Sequence, residues 1–243
     1  MIRIINLYKS FNEKSVLKGV NLDIYDGETI TIIGGSGQGK TVLLKCIVGL
    51  LKPDSGKIIV DNVDITTADK NTLRSIQKKF GYLFQGAALF DSMTVFENVA
   101  FGLRYSNLSK EEIQHRVELY LSYVGLEGVE NLYPSELSGG MKKRVALARA
   151  IAYNPQYILY DEPTTGLDPQ TSETVTDLII SLQRKLKTTS IVVTHDIKAA
   201  VKISQRVALL YDGKIVAIEE GKNLLKSNHP LIQEFVSYSV FCI

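Results

Sequence analysis

Apolar and polar positions alternate along the start of the chain, which predicts strands from Ile2 to Tyr8 and from Val16 to Ile24, separated by a polar turn at Asn12 and Glu13. The turn Tyr25-Asp26-Gly27-Glu28 leads into an unbroken apolar stretch from Thr29 to Ile33, which reads as a buried strand. A helical pattern runs from Lys40 to about Leu51 and stops at the breaker cluster Lys52-Pro53-Asp54-Ser55-Gly56. Strand patterns return from Lys57 to Val60 and from Phe80 to Gln85. The period then becomes helical from Thr94 to Leu103, Lys110 to Val124 and Met141 to Tyr153. Ser109, ahead of Lys110-Glu111-Glu112, supplies an N-cap with an acidic first turn. No strand pattern occurs between Gln85 and Asn154. Strands are predicted again from Tyr157 to Tyr160, Ser190 to Thr194 and Val207 to Leu210, with helices from Gln170 to Lys187 and Ile197 to Ile203. These elements describe one α/β domain over residues 1–243. Its core is residues 1–85 and 155–220, a helical insertion occupies 86–154, and a C-terminal tail covers 221–243.

Composition narrows the class without naming it. Of 243 residues, 45% are hydrophobic and 22% charged, an ordinary globular balance. The net charge of +2 is too small for a nucleic-acid surface, so no nucleic-acid partner is expected. No uncharged apolar run approaches the ~18 residues of a membrane helix, and MIRIINLYKS lacks the layout of a signal peptide. A soluble, cytoplasmic chain is expected. Cys46 and Cys242 are expected as reduced thiols, Cys46 as core packing.

The chemistry enters at Gly34-Gly35-Ser36-Gly37-Gln38-Gly39-Lys40-Thr41, a phosphate-loop string placed between a predicted strand and a predicted helix. Glycines let successive N–H groups turn inward on an anion, and the helix start adds about half a positive charge. Lys40 can reach the β and γ phosphates and the Thr41 hydroxyl can hold Mg²⁺, so the chain is expected to bind a nucleoside triphosphate with Mg²⁺. Tyr157-Ile158-Leu159-Tyr160-Asp161-Glu162 is an apolar strand ending in two acids. Asp161 is placed to serve Mg²⁺ and Glu162 to polarise an attacking water. Leu137-Ser138-Gly139-Gly140-Met141 opens an alanine-rich helix and forms a second anion cradle, one that a facing copy of the chain could use. Lys142-Lys143-Arg144 reads as a solvated helix face, and His115 and His229 receive no role.

With these motifs in order, the chain resembles the nucleotide-binding subunits of ABC transporters over nearly its whole length. The resemblance implies a phosphate-loop, RecA-like α/β core with an antiparallel β subdomain and an inserted helical subdomain. It also implies roles: Gly34 to Thr41 as the Walker A loop, Asp161 and Glu162 as Walker B with its catalytic glutamate, and Ser138, Gly139 and Gly140 as part of the signature. Gln85 matches the Q-loop glutamine that touches the metal and nucleotide, Asp168 the D-loop, and His195 the switch histidine. Phe11 stands where the family stacks an aromatic on adenine, with Tyr8 the weaker alternative. Gln38, and glycine where proline is frequent in the loop, are minor departures.

The implied partners are a second copy of the chain and integral membrane permease subunits, with the chain peripheral on the cytoplasmic face of the inner membrane. Residues 86–96 suit either a permease helix or ordinary core packing. Residues 84–104, together with Met141, are similar to the ATPases of MCE-associated lipid transporters, the MlaF type. That similarity implies phospholipid transport with an MCE substrate-binding protein, and admits a STAS-domain regulator. Two alternatives stand beside it: the ATPase of an amino-acid or other small-solute importer, and a soluble ABC ATPase of iron–sulfur cluster assembly. Residues 229–243 either embrace a partner subunit or pack on their own domain.

Overall fold

The fold, a computed structural model, describes residues 1–241, with side chains described as far as Ser237. Cys242 and Ile243, and with them the expectation of a second reduced thiol and the end of the tail, lie outside the described residues. The chain forms two units, residues 1–80 with 189–243 and residues 81–188.

The first unit contains two sheets. β1 (Ile2–Phe11) and β2 (Lys14–Ile24) form a hairpin at the predicted turn, and β1 also pairs antiparallel with β4 (Ser55–Val60), which continues to the short β5 (Val63–Asp64). The register sets Ile2 opposite both Ile24 and Val60, and Ile4 opposite Leu22 and Ile58, and all six side chains are buried. Period-two apolar positions thus become one covered face of the sheet. In the other sheet β3 (Thr29–Ile33) lies parallel between β8 (Thr189–Thr194) and β9 (Arg206–Tyr211), and β10 (Lys214–Glu220) adds antiparallel to β9. Every residue of β3 and β8 is buried, which explains why these strands read as continuous runs rather than alternating ones.

Helices α1 (Lys40–Ile47), α2 (Lys70–Gln77) and α7 (Ile197–Ile203) complete the unit with α8 (Pro230–Phe241). Ile232 of α8 is buried in a cluster with Ile33, Ile197, Ala200, Val207, Leu209 and Leu224, and Leu231, Phe235 and Val236 pack beside it. The described part of the tail therefore packs on its own unit.

The second unit begins within β6 (Phe80–Leu83), at Gly81, and includes α3 (Val95–Ala100), α4 (Lys110–Tyr123), α5 (Gly139–Ile151), β7 (Tyr157–Asp161) and α6 (Pro169–Leu186). Ser109 caps α4 as expected, in a reciprocal box with Glu112, and Thr94 and Glu97 build the same box on α3. The helix expected from Thr94 to Leu103 is shorter than its pattern. It ends at Ala100 and resumes as a 3-10 turn at Leu103–Tyr105. Asn98, fully buried, donates to the carbonyls of Phe90, Met93 and Thr94 and accepts from the Phe90 N–H, which fixes the approach to α3. Arg149 donates to the carbonyls of Ala87 and Ala88, both at 2.8 Å, and these two alanines have φ of 63° and 49°. The left-handed region costs an ordinary residue about 1–2 kcal/mol, so the guanidinium holds the segment after Gln85 in a shape it would not take alone. Among the described residues no helix is long and apolar enough to cross a membrane.

Candidate nucleotide-binding site

Each unit carries part of the set picked out by the sequence: Phe11, Gly34 to Thr41 and His195 in the first, and Gln85, Ser138 to Gly140, Asp161, Glu162 and Asp168 in the second.

In the first unit the parallel register pairs Ile33 with Thr194. The next residues, Gly34 and His195, therefore leave neighbouring strands at the same end. A Cβ on Gly34 would lie 2.5 Å from the Leu210 carbonyl oxygen, so only glycine lets the loop begin there. Gly37 and Gly39 adopt φ of 77° and 100°, conformations glycine takes freely. Gly39 then starts α1. Ser36 and Gly37 are exposed at the mouth, while Lys40 is buried and donates from Nζ to the carbonyls of Gly34 (2.7 Å) and Gly35 (3.2 Å). The ammonium thus lies over the loop it follows, and Thr41, half-buried, sits in the first helical turn. Gln38 turns elsewhere: its Oε1 accepts from the Asp212 N–H at 2.8 Å and braces the loop against the β9–β10 turn. Phe11 ends β1 with 42% of its surface exposed and the Lys9 ammonium 5.5 Å from its ring centre. His195 is exposed, between the end of β8 and the Asp196 cap of α7.

In the second unit the acids close a fully buried strand. Asp161 is 2% exposed and its Oδ2 accepts from the Tyr82 hydroxyl at 3.1 Å. Burial, with the Asp161 charge added, pushes the Tyr82 pKa far up, so the phenol remains a donor. Glu162 follows with φ of 48°, a left-handed backbone in a non-glycine residue. Thr165 Oγ1 donates to its Oε2 at 3.1 Å, and the Thr165 N–H to its carbonyl at 3.3 Å. Strain of this kind gathers where surrounding contacts over-determine it.

Lys143 corrects the sequence reading. It is not on a solvated face but buried, and its Nζ donates to the Gln85 carbonyl and, at 3.4 Å, to the Glu162 carbonyl. Burial pushes its pKa down, opposed by the charges of Asp161 and Glu162. Arg144 and Lys142 are half-buried, Arg144 donating to the carbonyls of Val124 and Gly125. A positional signal existed. Lys143 falls three residues after Gly140 and four before Leu147, both on the buried side of α5. Tyr82 and Thr165 were also missed, and nothing in their local sequence marks them.

Ser138 is the N-cap of α5, its Oγ accepting from the Met141 N–H at 3.3 Å, and Ser138 and Gly139 are exposed at that helix start. Asp168 caps α6, accepting from the Thr171 N–H at 3.0 Å. Hydrogen bonds from Thr171 hold its carboxyl below the usual range. Both side chains therefore have a structural duty within their own chain. Hard oxygens suit Mg²⁺: the first unit carries the Thr41 hydroxyl, and the second the Asp161 carboxylate and the Gln85 amide oxygen. Among the described residues no cluster of three or more His, Cys, Asp or Glu forms, and a magnesium ion bound with phosphates needs none.

A glycine loop between a parallel strand and a helix, closed by a buried lysine, is the build of a phosphate-loop nucleotide-binding protein. The model of the ABC transporter family matches residues 17–165, and the chain belongs to that family. It has the family's α/β ATPase fold and is an ATP-binding, ATP-hydrolysing protein. It is 39% identical over 242 residues to methionine import ATP-binding protein MetN 1 of Bacillus cereus, covering 98% of this chain and 70% of that protein. With MetN of Carboxydothermus hydrogenoformans the identity is 43% over 243 residues, covering 98% and 72%. The dimeric ATP-binding cassette MJ0796, solved in a post-hydrolysis state bound to ADP and Pi, superposes with a TM-score of 0.84 at 37% identity, covering 91% of this chain and 99% of that one. None of these names concerns lipids. The lipid-transport expectation drawn from residues 84–104 finds no support in them, and the small-solute importer alternative does.

Proposed function

We propose that the chain is the ATP-hydrolysing subunit of a small-solute importer, with an amino acid of the methionine kind as cargo. It works as a homodimer on the cytoplasmic face of integral membrane permease subunits. The observation that carries the cargo is the similarity to methionine import ATPases over 98% of the chain. The MJ0796 dimer supports the homodimer.

In this reading Gly34 to Thr41 wraps the triphosphate, with Lys40 on the β and γ phosphates and Phe11 against adenine. Thr41, Asp161 and Gln85 would hold Mg²⁺, which would supply charge neutralisation on the triphosphate. Glu162 polarises the attacking water and His195 donates to the γ-phosphate. Ser138, Gly139, Gly140 and Asp168 serve the nucleotide held by the partner copy. Phosphoryl transfer needs positioning more than covalent help, which suits a glutamate held by Thr165 and by the peptide bonds around it. Binding does mechanical work only because the closed pair holds ATP more tightly than the open one. Glu162→Gln is expected to bind ATP and dimerise while turnover falls about 10²–10⁴-fold. Single-turnover hydrolysis beside gel filtration with ATP checks this, and near-normal turnover removes Glu162 from the role.

Residues 84–104 and Met141 favour a second reading, phospholipid transport with an MCE protein and a STAS-domain regulator. Affinity purification from native membranes separates the two. A solute-import permease supports the first, an MCE protein the second, and soluble cluster-assembly proteins alone overturn both.

A further inference from the structure

We propose that Tyr82 is a positioning residue for the metal-binding carboxylate, its hydroxyl fixing the orientation in which Asp161 meets the Mg²⁺ of Mg-ATP. The inference rests on the reading of Asp161 as a metal ligand. It starts from the buried end of β7, where Asp161 has almost no solvent to orient it. An ionised carboxylate offers two oxygens and about four lone-pair directions, so it can take a protein donor and still face a metal. Tyr82 takes one of them, its hydroxyl donating to Oδ2 at 3.1 Å. The phenol is itself held, because its ring stacks on Phe84 with centres 4.2 Å apart and planes 23° from parallel. Phe84 directly precedes Gln85, so the stack links the segment bearing that glutamine to the carboxylate.

The chemistry of the donor matters. A lysine or arginine here would neutralise the carboxylate and compete with a cation. A phenol stays neutral across the working range, with an ordinary pKa of about 10. It therefore orients Asp161 and leaves its charge for the metal. Hydrogen bonds of this kind to metal-binding groups typically contribute about 10–100-fold to metal affinity or activity.

The test uses Mn²⁺ as the probe, with free Mn²⁺ followed by electron paramagnetic resonance. It is titrated into the full chain carrying a non-hydrolysable ATP analogue, as wild type, Tyr82→Phe, Phe84→Leu and Asp161→Asn. Tyr82→Phe is expected to raise the Mn²⁺ dissociation constant about tenfold or more, while analogue binding in EDTA stays within about twofold. A merely structural tie between β6 and β7 would lower the melting temperature and leave the Mn²⁺ constant alone. Phe84→Leu keeps the hydroxyl but removes the ring beneath it. It carries the test if Tyr82→Phe folds poorly, with an expected rise of about threefold or more. Mn²⁺ constants unchanged in the Tyr82 and Phe84 variants but shifted in Asp161→Asn overturn the inference and spare the site. An Asp161→Asn protein that binds Mn²⁺ as wild type does overturns the metal reading itself.

Discussion

Gly140 lies in the first turn of α5, with ordinary helical backbone, yet a Cβ built on it would lie 2.5 Å from Thr171 Cγ2. Two effects oppose each other in Gly140→Ala. Alanine gains about 0.8–1.0 kcal/mol of helix propensity over glycine. Carbon atoms pack best at about 3.5–4.0 Å, so the new methyl intrudes by about 1 Å. Overpacking on that scale costs about 1–3 kcal/mol. The net expectation is a loss of about 1 kcal/mol, or about 2–4 °C in Tm for a chain of this size. Thr171→Ser removes only the obstructing methyl and is expected to cost less than about 1 kcal/mol alone. Together the two changes should lift Tm to wild type or slightly above, a coupling of about 1–2 kcal/mol. Urea unfolding of the four proteins, followed by circular dichroism, reads the cycle. A stabilised Gly140→Ala, or a double variant no better than the single, refutes the packing argument. The contact matters because it sets the start of α5, with Ser138, against α6, whose cap is Asp168.

Ser138→Ala removes the α5 cap and is expected to cost about 1 kcal/mol, whereas Ser138→Asn keeps a capping oxygen. ATPase assays should find both variants slow although only the alanine melts early. Full activity in the asparagine variant limits Ser138 to capping. Burial pushes the Cys46 thiol from 9.0 up to about 11. At pH 8 about one molecule in a thousand then carries a thiolate. In a Cys242→Ser background Ellman's reagent should find no thiol in the native chain and one in urea. Because the pKa is raised on folding, the stability it contributes is complete below pH 9 and lost as pH climbs through about 11. Cys46→Ala should flatten that alkaline limb in denaturant melts, and an unchanged limb argues that another group titrates there.

What the sequence revealed follows from where each signal resides. Strands such as β3, β7 and β8 are buried on both faces, so their continuous apolar runs were visible. β10 was not, since none of its seven residues is fully buried. α2 was missed as well: Ile76 alone is buried, too little for a stripe. The predicted helix from Lys40 to Leu51 overran its end at Ile47 because Leu50, apolar but 57% exposed, extended the pattern. At the site, loop and acids were legible because their chemistry depends on consecutive residues. Tyr82 and Asp161 are separated by 79 positions, and no local period joins them. Lys143 was misjudged because a run of basic residues suggests solvent, while the helix turns the middle one inward.

That inward lysine gives α5 two attachments through one ammonium. Its ammonium grips peptide oxygens at positions 85 and 162, so any tilt of the helix drags on both at once. Glu162, already in an unfavourable twist, has little slack to absorb such a pull. A force reaching the Gln85 segment would therefore register at the acid without any side chain of that segment having to touch it.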